Sequence, residues 1–340
     1  MQLGKIMQRG VILGMSLVFL GSLFVQPSRA QDSVPILASG QPGSFLVFPK
    51  FDLRNGRNTQ IRISDVFDGP EFTRSVYLLF NFVCGARKFT AERCKELDIK
   101  RPITYHGTVV LDVAAVHPPC DHGFVVVFAV DPLDRPISYN YLIGSYHLTR
   151  GDGESGSVEA DQAIAIQSVE PVLFGALDRD GNGGLEFGAD QDGDNFYDYA
   201  ALGTSLSTDF LAPTEGVQTD LTLLTLDIFS GAQNPPVLVY IDFWNANEVK
   251  FSTSWEFVCY TQVRLEDIDF NFRAENLGTP YGSLVVTPEV NCPFPGGCPP
   301  LPFYDPTILG AIDERVGNAA SKRNLYHDFF PKFTVYYPER

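Results

Sequence analysis

Basic residues, histidine and tryptophan are all scarce in this chain. Its 25 Lys and Arg face 41 Asp and Glu, for a net charge of −16. A nucleic-acid binder neutralises phosphates with clustered Lys and Arg, and the absence of any such run argues against a phosphate-binding role. The five His are scattered and support no particular hydrolytic triad. There is no G-x-S-x-G, H-E-x-x-H, P-loop, Rossmann fingerprint or C-x-x-C-H. Helical stripes are few, and the best ones, near Ala91 to Leu97 and Ile308 to Val316, are short. After the N-terminus no apolar run approaches the roughly 20 residues of a membrane-spanning helix. With 44% hydrophobic and 19% charged residues the composition is globular, which excludes disorder, collagen and coiled coil. The 340 residues suit one large or two ordinary domains.

The N-terminus carries Lys5 and Arg9, then the apolar run from Val11 to Val25, then PSRA ending at Ala30. This is the order of a secretory signal, cut before Gln31, and it predicts a secreted, periplasmic or cell-surface protein of about 310 residues. Removing three positive charges (Lys5, Arg9, Arg29) takes the net charge from −16 to −19. In an oxidising compartment six Cys read first as disulfides, with 15 pairings open. Cys84 with Cys94, and Cys292 with Cys298, would close two local loops. Cys120 with Cys259 would then tie the two halves of the chain, so either the halves pack closely or the local pairings are wrong.

Period-2 alternation dominates the mature sequence. Gln60 to Ser64 is one case. Phe251, Thr253, Trp255, Phe257 and Cys259 form a second, with Ser252, Ser254 and Glu256 opposite, and Phe333, Val335 and Tyr337 a third. The short apolar runs Val76 to Val83 and Phe124 to Val130 fit strands buried on both faces. Between Val263 and Phe272 the alternation changes parity, as a β-bulge near Glu266 or Asp267 would produce. Turn signals stand at Asn55-Gly56, Gly151-Asp152-Gly153 and Asn234-Pro235-Pro236. The expected fold is all-β: two antiparallel β-sandwich (Ig-like) domains at 42–169 and 200–340, joined by an acidic, Gly-rich connector at 170–199. An outer-membrane barrel alternates too, but 24 Pro, six Cys and runs apolar on both faces fit a packed sandwich better.

The connector holds the one constellation with chemistry in it. Asp178 to Asp198 reads DRDGNGGLEFGADQDGDNFYD, seven carboxylates and five Gly in 21 residues. Asp178, Asp180 and Asn182 offer oxygens at positions 1, 3 and 5 of a loop. Gly183 allows a sharp turn at 6, Gly184 gives a carbonyl at 7, and Glu186 follows at 9. This spacing suits a hard cation such as Ca²⁺, which takes about six to eight oxygens. It resembles the calcium loop of the EF-hand and dockerin families over about a dozen residues. It departs where position 12 is Ala189 and where PVLFGAL replaces an entering helix. A second register, Asp190, Asp192, Asp194 and Asp198, resembles the Asp-rich repeats of the thrombospondin type 3 class, with Asn195 in place of the turn Gly. The bland alternative is a solvated acidic loop held by Asx turns.

Two weaker candidates remain. His117, Cys120, Asp121 and His122 bring zinc-type ligands within six residues, although an oxidised Cys120 would be no ligand. Asp242, Glu248 and Glu256 lie near Trp244 and Trp255, which invites a sugar-binding or glycosidase reading against strand edges with outward acids and inward aromatics.

PGSFLVFPKFD (Pro42 to Asp52), RPISYNYLIGS (Arg135 to Ser145), and then YIDFWNANE and WEFVCYTQVRL, resemble a group of secreted bacterial β-rich proteins whose shared motifs carry no assigned chemistry. The resemblance implies an exported β-rich protein and transfers no catalytic residue. The expected function is a non-enzymatic, calcium-stabilised β-sandwich protein acting in adhesion, assembly or binding of a protein or glycan partner. The alternative is an extracellular carbohydrate-binding module or polysaccharide-acting enzyme.

Overall fold

The computed structural model describes residues 41–70, 76–85, 94, 96–149, 157–179, 181, 183–188, 197–200, 202–203, 205–229, 236–290, 307–317 and 319–328. The expected signal sequence, the alternation at Phe333 to Tyr337, and Cys292 and Cys298 lie outside these residues. Pro35–Arg340 forms one compact unit.

The chain is all-β. Its first half contributes β1 (Phe45–Asp52), β2 (Asn58–Asp65), β3 (Val76–Cys84), β4 (Glu96–Ile103), β5 (Thr108–Asp112), β6 (His122–Val130), β7 (Leu142–Thr149), β8 (Ser157–Gln162) and β9 (Ile164–Ile166). The second half contributes β10 (Ser205–Leu211), β11 (Val217–Thr225), β12 (Val237–Asn245), β13 (Lys250–Phe257), β14 (Tyr260–Arg264), β15 (Tyr281–Val290), β16 (Ile308–Val316), β17 (Ala319–Asn324) and β18 (Tyr326–Asp328). In the first half, sheet β4-β3-β6-β1-β9 packs on sheet β5-β2-β7-β8. In the second, β13-β12-β15-β10-β18 packs on β14-β11-β16-β17. Neighbouring strands are antiparallel in all four sheets, each sheet is open at both edges, and no strand pairing closes them into a barrel among the described residues.

Period-2 patterning decides which core each residue joins. In β6, Val125, Val127 and Ala129 face the core of the first sandwich, while Phe124, Val126, Phe128 and Val130 face the other way. That second face is buried as well. It packs with Leu224, Leu226, Tyr260 and Leu309 from the second half and with Leu177, Leu185, Phe187 and Tyr199 from the connector. The central sheet of the first sandwich is therefore covered on both sides, which is why β3 and β6 read as unbroken apolar runs. The halves share a third core.

Phe45 is its hub. The ring lies 5.5 Å from Phe128, 5.2 Å from Phe187, 5.1 Å from Tyr199 and 6.0 Å from Phe229.

Several expectations change. Cys84 pairs with Cys120 and Cys94 with Cys259, in place of the local Cys84–Cys94 loop. The register explains the swap, because Cys84 sits opposite Gly123 across β3 and β6, three residues from Cys120. Cys94 and Cys259 both belong to the third core, so a long-range bridge does tie the halves, through a different partner. The segment after Val263 is no bulged strand. A helical turn at Leu265–Ile268 and a 3-10 turn at Phe270–Phe272 follow β14, and Leu265, Ile268 and Phe272 meet the second core at helical spacings of three and four. Ile308–Val316, a short helical candidate, is a central strand, because alternate residues serve two different cores. Cys259 leaves the face of Phe257 because it lies beyond β13, in a turn with φ 61°.

Candidate functional site

Of the nine residues expected to hold a cation, Asp178, Gly184, Glu186 and Asp198 fall among the described residues; Asp180, Asn182, Asp190, Asp192 and Asp194 do not. The described part of the loop is tightly turned. Asp178 has φ 50°, and Gly181 and Gly183 take φ 74° and 82°, a backbone region open to glycine at little cost. The Gly181 N–H donates to the Asp178 carbonyl at 3.2 Å, and the Gly183 N–H to Asp178 Oδ1 at 3.1 Å. Residues 1 and 6 of the candidate loop are thus joined.

Asp198 is the fastening that sequence reasoning did not foresee. Its side chain is buried, and its two oxygens accept the N–H of Asp178 (2.8 Å) and of Glu186 (3.1 Å), twenty and twelve residues away. The backbone adds further bonds: the Asp198 and Tyr199 N–H both donate to the Glu186 carbonyl, at 3.1 and 2.9 Å. Three expected ligands, Asp178, Glu186 and Asp198, are brought into one hydrogen-bonded unit. The signal in the sequence is the interleaving of acids with Leu177, Leu185, Phe187 and Tyr199, which anchor both ends of the loop in the third core. It is not a solvated linker at its ends. Burial, helped by the Asp198 charge, pushes the Tyr199 hydroxyl well above its ordinary range. Arg179, the one cation of the stretch, pairs with the buried Glu170. Among the described residues, no group of three or more His, Cys, Asp or Glu is placed to hold a metal ion.

The zinc-type cluster is dismantled by chemistry, since Cys120 is in a disulfide and His122 Nδ1 contacts Asp121 at 2.6 Å.

The aromatic strands give a mixed outcome. Trp255 faces the second core, as the bland reading has it, but Tyr240, Asp242 and Trp244 share the outward face of β12. Asp242 accepts hydrogen bonds from Lys250 (2.8 Å) and Ser252 (2.5 Å), which hold its carboxyl below its usual range. The Lys250 ammonium lies 5.4 Å from the centroid of the Trp244 ring. Glu256 stands four residues along β13 from Ser252, the cross-strand partner of Asp242. At ~3.3 Å per residue the two carboxylates are roughly 13 Å apart along the strand, beyond a glycosidase pair. Glu248 lies past the end of β12 in a turn closed by its N–H to the Asn245 carbonyl, 3.0 Å.

At the joint of the two sandwiches the polar contacts are dense. Lys50 Nζ meets Asp313 Oδ2 at 2.9 Å with both side chains sealed from solvent. Nearby, buried Asp52 binds Arg54 (2.8 Å) and Arg57 (2.9 Å), and Arg54 reaches Gln262 Oε1 across the joint at 2.7 Å. Burial works against the Asp52 charge, yet the Arg54 hydrogen bonds hold its carboxyl down at about 2.

No family model matches the chain, and no curated protein matches it. Among solved structures it is similar to one titled "The structure of a beta-glucuronidase from glycoside hydrolase family 2", at 8% identity and a TM-score of 0.15. The match covers 84% of this chain and 24% of that one, so the chain spans about a quarter of that structure's length. Similarity at this level carries no argument about fold or activity. No helix among the described residues is long and apolar enough to cross a membrane.

Proposed function

We propose that this is an exported, non-enzymatic β-sandwich protein of adhesion, assembly or binding, whose segment between the sandwiches is ordered by Ca²⁺. The observation that supports the reading is the anchored acidic loop: its ends are fixed in a shared core, while Asp178 and Asp198 are drawn together by backbone N–H bonds. Seven carboxylates in 21 residues concentrate negative charge that a cation would relieve. Asp178, Asp180, Asn182, the Gly184 carbonyl and Glu186 would supply one set of oxygens, and Asp190, Asp192, Asp194 and Asp198 a second. An ionised carboxylate has about four lone-pair sites, so Asp198 can keep both N–H bonds and still face a cation. A cation bound only by the folded state stabilises it by mass action, and even a millimolar site is useful outside the cell.

The test is calorimetric titration of chelator-stripped protein with Ca²⁺, together with melting temperatures with and without the ion. Saturable binding and a raised melting temperature are expected, and both should vanish in Asp178→Ala/Asp192→Ala. No binding at millimolar Ca²⁺ would sink the calcium reading.

The outward face of β12 favours a second reading, binding of a glycan. Trp244 and Tyr240 offer rings for sugar stacking, and Asp242 and Ser252 offer hydrogen bonds. Quenching or enhancement of tryptophan emission by soluble polysaccharides, lost in Trp244→Ala, would support it, and an unchanged spectrum across neutral and acidic glycans would end it.

A further inference from the structure

Burying a lysine and an aspartate against each other with no access to water is an expensive use of two charges, because the hydration that each gives up is costly to replace. Lys50 and Asp313 are so buried, 0% and 1% exposed, and 263 residues apart in sequence. The fold aims them. β1 pairs Phe48 with Val125 and Phe51 with Gly123, so Pro49 and Lys50 together oppose the single residue Phe124 in a β-bulge. The extra residue restores Phe51 to the first core beside Leu46 and Phe48 and turns Lys50 away from it, toward the second half. From the other side, Asp313 continues the alternation of Leu309 and Ala311 on the face of β16 directed at the first half.

The surroundings are also ordered. A second buried lysine, Lys322 of β17, has its Nζ 4.0 Å from Asp313 Oδ1 and 4.5 Å from the centroid of the Tyr146 ring. Asp161, opposite Tyr146 in the β7–β8 register, presents a buried Oδ2 with no hydrogen-bond partner among the described residues. Burial raises the Asp161 carboxyl above its ordinary range, against the opposing pull of the Gln162 N–H and the Lys322 charge.

We propose that Lys50 and Asp313 condense spontaneously into an isopeptide bond that welds the two sandwiches together. A proton passes from the Lys50 ammonium to the carboxylate side, leaving a neutral amine and a neutral acid. The Nζ lone pair attacks Cγ of Asp313, one N–C bond forms, and one C–O bond breaks. The second Nζ proton goes to the departing hydroxyl, which leaves as water. Both buried charges disappear, no oxidant or cofactor is consumed, and the new carbonyl oxygen faces Lys322. Condensation is unfavourable between free groups in water, but groups held in contact react at effective molarities of up to about 10⁵–10⁸ M. The proposal is independent of the calcium reading.

Mass spectrometry decides it. After reduction and denaturation, the purified protein should weigh one water less than its sequence, with the N-terminus as sequenced. A protease digest should contain a branched peptide joining Lys50 to Asp313. Lys50→Arg and Asp313→Ala should carry their full masses. Asp313→Asn supplies a check that survives any folding defect of the alanine variant. It should lose ammonia in place of water and converge on the same mass as the natural protein. A folded natural protein of full mass overturns the proposal, as does a branch at Lys322 in place of Lys50.

Discussion

Replacing Phe45 by alanine tests whether the two sandwiches are one cooperative unit. The side chain is wholly buried, and it touches four rings contributed by β6, by the connector and by the turn after β11. Truncating a buried phenylalanine costs about 3–5 kcal/mol through lost transfer energy and the cavity left behind. Each aromatic pair adds about 0.5–1.5 kcal/mol, but pairs sharing one ring do not add fully, so about 5 kcal/mol is the working figure. With a urea slope near 3 kcal/mol/M, the midpoint should fall by about 1.5 M. Phe45→Leu keeps most of the apolar volume and should lose about 2 kcal/mol. Unfolding is followed by tryptophan emission and by far-ultraviolet circular dichroism. Both tryptophans, Trp244 and Trp255, lie in the second half, whereas dichroism reports all four sheets. The two probes should move together, although the substitution is in the first strand. If emission keeps its midpoint while the dichroism curve splits in two, the third core does not couple the halves and the reasoning is refuted.

Two further outcomes follow from buried carboxylates. Asp52 is held at about 2 against an ordinary 3.8, so its stabilising contribution, about 2 kcal/mol, is complete above pH 4 and drains away as pH falls toward 2. The stability gap between the natural protein and Asp52→Asn, measured by urea unfolding, should therefore narrow over that window, and a constant gap would contradict the assignment. Asp198→Ala leaves the N–H groups of Asp178 and Glu186 without their acceptor, at a cost of about 3 kcal/mol. Amide exchange at those two positions should accelerate in the variant, and unchanged protection would show that the carboxylate is not the fastening.

Strand character, fold class and the location of the acidic loop were all present in the sequence, because a period of two and a density of carboxylates are local properties. β2 and β7 alternate between buried and partly exposed residues as their sequences alternate. The doubly apolar runs of β3 and β6 announced burial on both faces, but not what lies against the second face, since most of that surface comes from the connector and the second half of the chain. The same limit applies to the cysteines. Short spacing favoured Cys84 with Cys94, whereas the antiparallel register of β3 with β6 brings Cys120 alongside.

Local composition alone marked Asp178 to Asp198 as the stretch from which a cation site is proposed. Tertiary structure alone decided that Asp198 clasps two distant backbone amides, that Leu177 and Phe187 anchor the loop, and that one extra residue in β1 turns Lys50 toward Asp313. Periodicity determines which face a side chain occupies; only the packed sheets determine what that face meets.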